Sequence, residues 1–211
     1  MLSECLDPAR EAEFADWYDH HLARFVATGL FHRASRYDLA TPGTGAPYLA
    51  LYETNEPLAR VAAELEPAID RMRAAGEITP LIEVKHRVLL ETMTPGRYAF
   101  GDDDPSAITG LLLMANNPKT PGTDDAFNRW YDDVHRIDIR DTGLYATMNR
   151  FKAVEDGEVR YANLYETTLP DVERALAGLD DFRPKWQAAG TLYADRVNTL
   201  RGAYRLRARV G

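Results

Sequence analysis

Phe127-Asn128-Arg129-Trp130-Tyr131-Asp132-Asp133-Val134-His135 decides how this chain folds, because the chain carries the stretch twice. The earlier form is Phe14-Ala15-Asp16-Trp17-Tyr18-Asp19-His20-His21. Working outward, Thr28-Gly29-Leu30-Phe31 and Arg36-Tyr37 return as Thr142-Gly143-Leu144-Tyr145 and Arg150-Phe151. Tyr48-Leu-Ala-Leu51-Tyr52-Glu53-Thr54 returns as Tyr161-Ala-Asn-Leu164-Tyr165-Glu166-Thr167. The offset is 113 at Trp17/Trp130, 114 from His21/His135 to Arg36/Arg150, and 113 again at Tyr48/Tyr161. Self-similarity at so long a period predicts two copies of one small domain, not a solenoid of short repeats.

The 211 residues, 45% hydrophobic and 27% charged, suit two globular domains of about 100 residues each. A net charge of −8 argues against nucleic acid or an anionic membrane as partner, since both demand clustered Lys and Arg. Cys5 is the only cysteine, which excludes an intramolecular disulfide and a cysteine metal cage. The apolar run Leu111–Ala115 is too short to span a bilayer, and the first residues resemble no signal peptide, so a cytoplasmic protein is expected.

Gly101-Asp-Asp-Asp-Pro105 reads as an acidic linker between a first repeat at 1–100 and a second at 106–211. In the second, Ile108–Asn116 reads as a strand, and Thr123 or Asp124 caps a helix reaching about Asp141. Strands follow at Leu144–Val154 and Val159–Thr167, with Glu155-Asp-Gly157 as the turn between them. A helix opened by Leu169-Pro170-Asp171 ends at Gly190, and an extended stretch runs from about Tyr193 to Arg209. The first repeat gives the same order, with helices near 9–28 and 56–75, strands near 31–39 and 48–54, and an extended run near 82–93. Its first strand, Met1 to about Leu6, is shorter than its counterpart. β-α-β-β-α-β is the ferredoxin-like unit, an antiparallel sheet with both helices on one face. The predicted class is therefore α+β, two such repeats whose sheets pack into an intramolecular barrel.

Trp-Tyr-Asp-x-x-His in the second copy, the Gly-aromatic strand start and the Tyr-Leu-Ala-Leu-Tyr-Glu strand resemble the dimeric α+β barrel superfamily, nearest its EthD-like branch. The resemblance covers nearly the whole chain, once per copy, and so implies a fused pseudo-dimer. Members include cofactor-independent polyketide cyclases, lactone isomerases, haem-degrading monooxygenases and proteins of unassigned role, so the fold does not decide the function. The resemblance also implies a pocket between the helices and the sheet of each copy.

Tyr131 and His135 stand one helical turn apart, as an acid–base pair for moving a proton on a carbonyl or phenolic substrate. The plainer reading makes His135 a hydrogen-bonded anchor of its helix. Tyr18 and His21 are the same pair in the first copy. There, one residue fewer after Trp17 is expected to rotate the histidine by about 100°, which favours the second copy as the active one. Trp17 and Trp130 read as core, or as ligand wall. Arg36 and Arg150 are expected to pair with Glu53 and Glu166, or else to clamp an anionic substrate. Tyr161, Asn163 and Tyr165 share one strand face with a polar character, as a pocket floor or an interface; Tyr52 is the first-copy counterpart of Tyr165. His86 sits in an alternating apolar run as a core histidine or a site residue.

No His/Asp/Glu cluster has metal-ligand spacing, and nucleotide-binding and serine-hydrolase motifs are absent. These readings favour a cofactor-independent enzyme of isomerase, cyclase, dehydratase or lyase type acting on an aromatic or carbonyl-bearing metabolite. A non-catalytic EthD-like accessory protein and a haem-binding or haem-modifying protein are the alternatives. The expected partner is a small-molecule ligand, and the expected assembly a pseudo-dimeric monomer or a homodimer.

Overall fold

The computed structural model describes residues 1–41, 45–101 and 104–211. Asp102 and Asp103 of the expected linker lie outside the described residues. Elements run β1 (Leu2–Cys5), α1 (Glu11–Ala27), β2 (Arg33–Leu39), β3 (Tyr48–Glu53), α2 (Leu58–Ala74), β4 (Ile82–His86) and β5 (Leu90–Ala99). Then come β6 (Gly110–Pro118), α3 (Asp124–Trp130), a π-helical turn (Tyr131–His135), α4 (Arg136–Arg140), β7 (Thr147–Ala153), β8 (Tyr161–Thr167), α5 (Val172–Ala189) and β9 (Arg196–Val210). The α+β class and the duplicated antiparallel pattern are those the sequence predicts. The first strand is short, four residues against nine in β6.

Two compact units emerge. One comprises Met1–Leu39, Ala46–Leu89 and Leu206–Gly211; the other takes in Leu90–Arg205. These units are not the same division as the repeat boundary near residue 100. The extended run expected at 82–93 breaks after His86, and β5 hydrogen-bonds to β7 inside the second unit. The last six residues of the chain, in turn, belong to the first unit. Strand order in the first unit is β4-β1-β3-β2, with the end of β9 beside β2, and in the second β9-β6-β8-β7-β5.

Each copy repeats the same local logic. Phe14, Tyr18, Leu22 and Phe25 recur at helical spacing, and all are buried on one face of α1. Both first helices end alike. Thr28 and Thr142 donate their hydroxyls back to the Phe25 and Ile139 carbonyls, and Gly29 and Gly143 follow at φ of 76° and 66°, a left-handed backbone that glycine takes without a Cβ clash. In the second copy Phe127, Tyr131, Tyr161, Tyr165 and Trp186 form one core around His135. α5 is capped by Asp171, whose side chain accepts the Arg174 N–H at 3.1 Å. Of the two expected caps, Thr123 holds the N-cap position of α3 and Asp124 is its first residue, but the Thr123 hydroxyl is shared between Asp195 and the Thr120 carbonyl and makes no cap hydrogen bond.

Candidate active site

The second copy carries one residue more than the first between its tryptophan and its histidine. An uninterrupted α-helix would turn His135 off the face that Trp130 occupies. The chain absorbs the extra residue in the π-helical turn Tyr131–His135, where the backbone ring widens from i→i+4 to i→i+5. His135 therefore stacks on Trp130 at 4.5 Å and 19°, as His21 lies on Trp17 at 4.3 Å and 30°. The expected 100° difference between the two histidines does not occur. Both are buried, at 6% and 2% exposure.

The tryptophans are tethers as well as walls. Trp130 Nε1 donates to the Thr191 carbonyl at 2.6 Å, and Trp17 Nε1 to the Glu77 carbonyl at 2.8 Å. Each thus ties the first helix of its copy to the segment that follows the second.

His135 Nε2 lies 3.2 Å from the Tyr165 hydroxyl, and the imidazole meets the Tyr131 ring edge-on at 5.0 Å. Burial, with Arg196 and Arg150 adding to it, pushes the imidazole down to about 3, so the ring is neutral at physiological pH. Burial likewise holds Tyr165 well above the usual phenol range, so it keeps its proton. Asn116 Nδ2 donates to Tyr131 Oη at 2.6 Å, and Asn163 Nδ2 donates to Asn116 Oδ1 at 3.3 Å. Arg150 closes the network through Asn163 Oδ1, Asn128 Oδ1 and Asp132 Oδ1, with its guanidinium 4.4 Å over Tyr131.

The pairing of Arg150 and Arg36 with Glu166 and Glu53 is corrected by register. Arg150 stands opposite Asn163 and Arg36 opposite Ala50, whereas Glu166 and Glu53 stand opposite Thr147 and Arg33. Three residues along a strand is an odd number, which puts arginine and glutamate on opposite faces. The arginines turn to the helix side instead and pair with Asp132 at 2.6 Å and Asp19 at 2.8 Å, equivalent positions in the two copies.

A small cavity of about 50 Å³ opens beside His135, lined by Tyr131, Tyr165, Trp186, Met114, Asp180, Arg183, Arg196, Asn198 and Arg201 among others. Space on that scale holds a few waters or one end of a ligand. It does not hold a haem, and the Nε2 that would ligate iron is already engaged by Tyr165. The set on β9 depends on a bulge: Ala115 faces Leu200 but Asn116 faces Asn198, leaving Thr199 over. That extra residue reverses the alternation, so Arg196 and Asn198 share the cavity wall with Arg201 despite odd spacing.

The first copy is plainer. Ser3 and Ala50 stand where the second has Asn116 and Asn163, and the Tyr18 hydroxyl meets Ser3 Oγ at 3.2 Å. His21 Nδ1 and the Tyr52 hydroxyl are buried with no hydrogen-bond partner, so the Tyr–His contact of the second copy has no equivalent. Burial, with Arg24 adding to it, lowers His21 to about 4. His86 lies half-buried on β4, whose alternating partner Val84 is 44% exposed; that face is not core.

Arg183, Arg196, Asn198, Arg201, Asp180, Asn116 and Asp132 were not legible as site residues. A bulge leaves no mark in hydrophobic periodicity. The Asn116–Asn117 pair at the strand end did carry a signal, since amides closing an apolar strand need partners.

Among the described residues no group of three His, Cys, Asp or Glu could hold a metal ion, and no helix is long and apolar enough to cross a membrane. No family model matches the chain, and no curated protein matches it in sequence. Solved structures do. An anthrone oxidase-like protein superposes with a TM-score of 0.55 at 13% identity, over 99% of this chain and 90% of its own. A monooxygenase candidate from Fusobacterium nucleatum gives 0.56 at 10% identity, over 98% and 90%. A chlorite dismutase candidate gives 0.52 at 12% identity, over 98% and 92%. Over nearly its whole length the chain thus shares the α+β fold of these proteins, with two copies of one antiparallel pattern in a single polypeptide.

Proposed function

We propose that the second copy is the working half of a small-molecule enzyme that removes a proton from an aromatic substrate activated by a carbonyl or phenol. The observation that carries this reading is the neutral imidazole of His135 at 3.2 Å from the Tyr165 hydroxyl on the wall of the cavity. With the ring proton on Nδ1, Tyr165 donates to Nε2. A substrate proton taken up by the Tyr165 oxygen is then matched by transfer of the phenolic proton to His135. Tyr165 is unchanged by the relay and the imidazole ends protonated, its charge balanced by the enolate or phenolate formed beside it, which offsets the burial that otherwise keeps the ring neutral. Arg150 holds Tyr131 and Asp132 in place, and the positive potential of the cavity stabilises the enolate or phenolate left behind. Reprotonation elsewhere gives an isomerase or cyclase. Capture of the carbanion by dioxygen, the oxidant, with return of the proton gives a hydroperoxide, whose loss of water leaves one oxygen in a new carbonyl; that is the oxidative outcome the names of two structural relatives suggest.

The test is turnover of anthrones, naphthols and aromatic β-diketones, followed by product analysis and oxygen uptake in parallel. His135→Gln is expected to lower kcat at least a hundredfold with binding retained, and Tyr165→Phe to do the same. Unchanged turnover in His135→Gln would sink the reading. In that case the burial of His135 favours the second one, a ligand-binding accessory protein whose histidine is structural.

A further inference from the structure

The cavity is a positive spot in an acidic protein. The chain as a whole carries −8, yet three arginines and a single carboxylate line this space. Arg183 is matched by Asp180 at 4.0 Å, and both are exposed. Arg196 and Arg201 are half-buried, and their guanidinium groups make no hydrogen bond or ion pair among the described residues; Arg196 rests 5.2 Å over the Trp130 ring. Several other arginines of the chain offer a contrast. Arg36, Arg150, Arg160 and Arg205 each hold a carboxylate. So does Arg87, which by strand register stands where Arg201 does in the second copy and pairs with Glu66. Neither guanidinium is sealed from water, so both remain open to an anion, and two like charges on one wall repel each other until one is bound. The β9 bulge at Thr199 is what puts both there.

We propose that Arg196 and Arg201 form an anion subsite that takes the carboxylate of an aromatic acid, with the ring directed along Trp186 toward the open side at Arg183. This rests on the proposed function and narrows it. The substrate carries a carboxylate in addition to the carbonyl or phenol presented to Tyr165 and His135. The guanidinium forks suit the flat two-oxygen geometry of that group.

The experiment measures binding of benzoate and of benzamide, its uncharged isostere, to the intact protein by tryptophan fluorescence and calorimetry. Benzoate is expected to bind at least tenfold tighter than benzamide, and Arg196→Gln and Arg201→Gln each to remove at least tenfold of the benzoate affinity. In the unmodified protein, added salt should weaken benzoate and leave benzamide unaffected, a readout independent of how well the variants fold. Equal affinity for the two probes, no benzoate binding, or benzoate binding insensitive to salt and to both substitutions overturns the proposal. Its failure is separable from that of the enzymatic reading. Arginine-dependent preference for benzoate can persist with His135→Gln fully active, and His135-dependent turnover can persist with no preference for benzoate.

Discussion

At the scale of single residues, the buried histidines couple stability to pH. His135 and His21 are lowered by burial to about 3 and about 4, below the usual 6.5 of an exposed imidazole. Between those values the unfolded chain binds protons that the native state refuses. Their contribution is therefore fully present above pH 6.5 and is lost as pH falls toward 3, amounting to roughly 3 kcal/mol or more for His135. Melting temperature should drop steeply between pH 7 and pH 4. His135→Gln, which cannot titrate, should flatten that slope; an unchanged slope in calorimetry would show that other groups control it. Arg150 is the other residue with a strong expectation. Its side chain is 1% exposed and serves Asp132, Asn128 and Asn163 together. Arg150→Met should cost about 2–4 kcal/mol in denaturant melts, tempered because Asp132 can turn to water.

At the scale of elements, the π-helical turn reconciles unequal lengths with equal geometry. The first copy reaches the same Trp–His stack on an ordinary α-helix. Deleting the exposed Asp133 should therefore convert Tyr131–His135 to α-helix while keeping Trp130 and His135 in contact. The melting temperature should stay within a few degrees, and the tryptophan near-UV dichroism should be retained. Collapse of the fold would show that the wide turn is needed for packing and is more than a tolerated insertion.

At the scale of the whole molecule, the repeat and the compact unit differ in β5 and in the end of β9. β5 precedes the second copy in sequence, yet it completes the second unit's sheet by pairing with β7. A fragment starting at residue 104 would leave the β7 edge bare, with its backbone donors and acceptors open to another chain. A fragment beginning at residue 90 should be markedly more soluble and less associated. Light scattering on the two fragments decides it, and equal association would make the β5 pairing incidental.

Much of this was written in the chain. Residues 113 or 114 apart announce two copies, Thr-Gly pairs end both first helices, and alternation places Tyr161, Asn163 and Tyr165 on one face. These are local properties, and local sterics and periodicity determine them. Which carboxylate Arg150 meets, how one extra residue after Trp130 is absorbed, and which arginines surround His135 were decided only in the tertiary structure. Each depends on strand register or on a single-residue bulge, and a one-residue shift exchanges the two faces of a strand while leaving its composition unchanged.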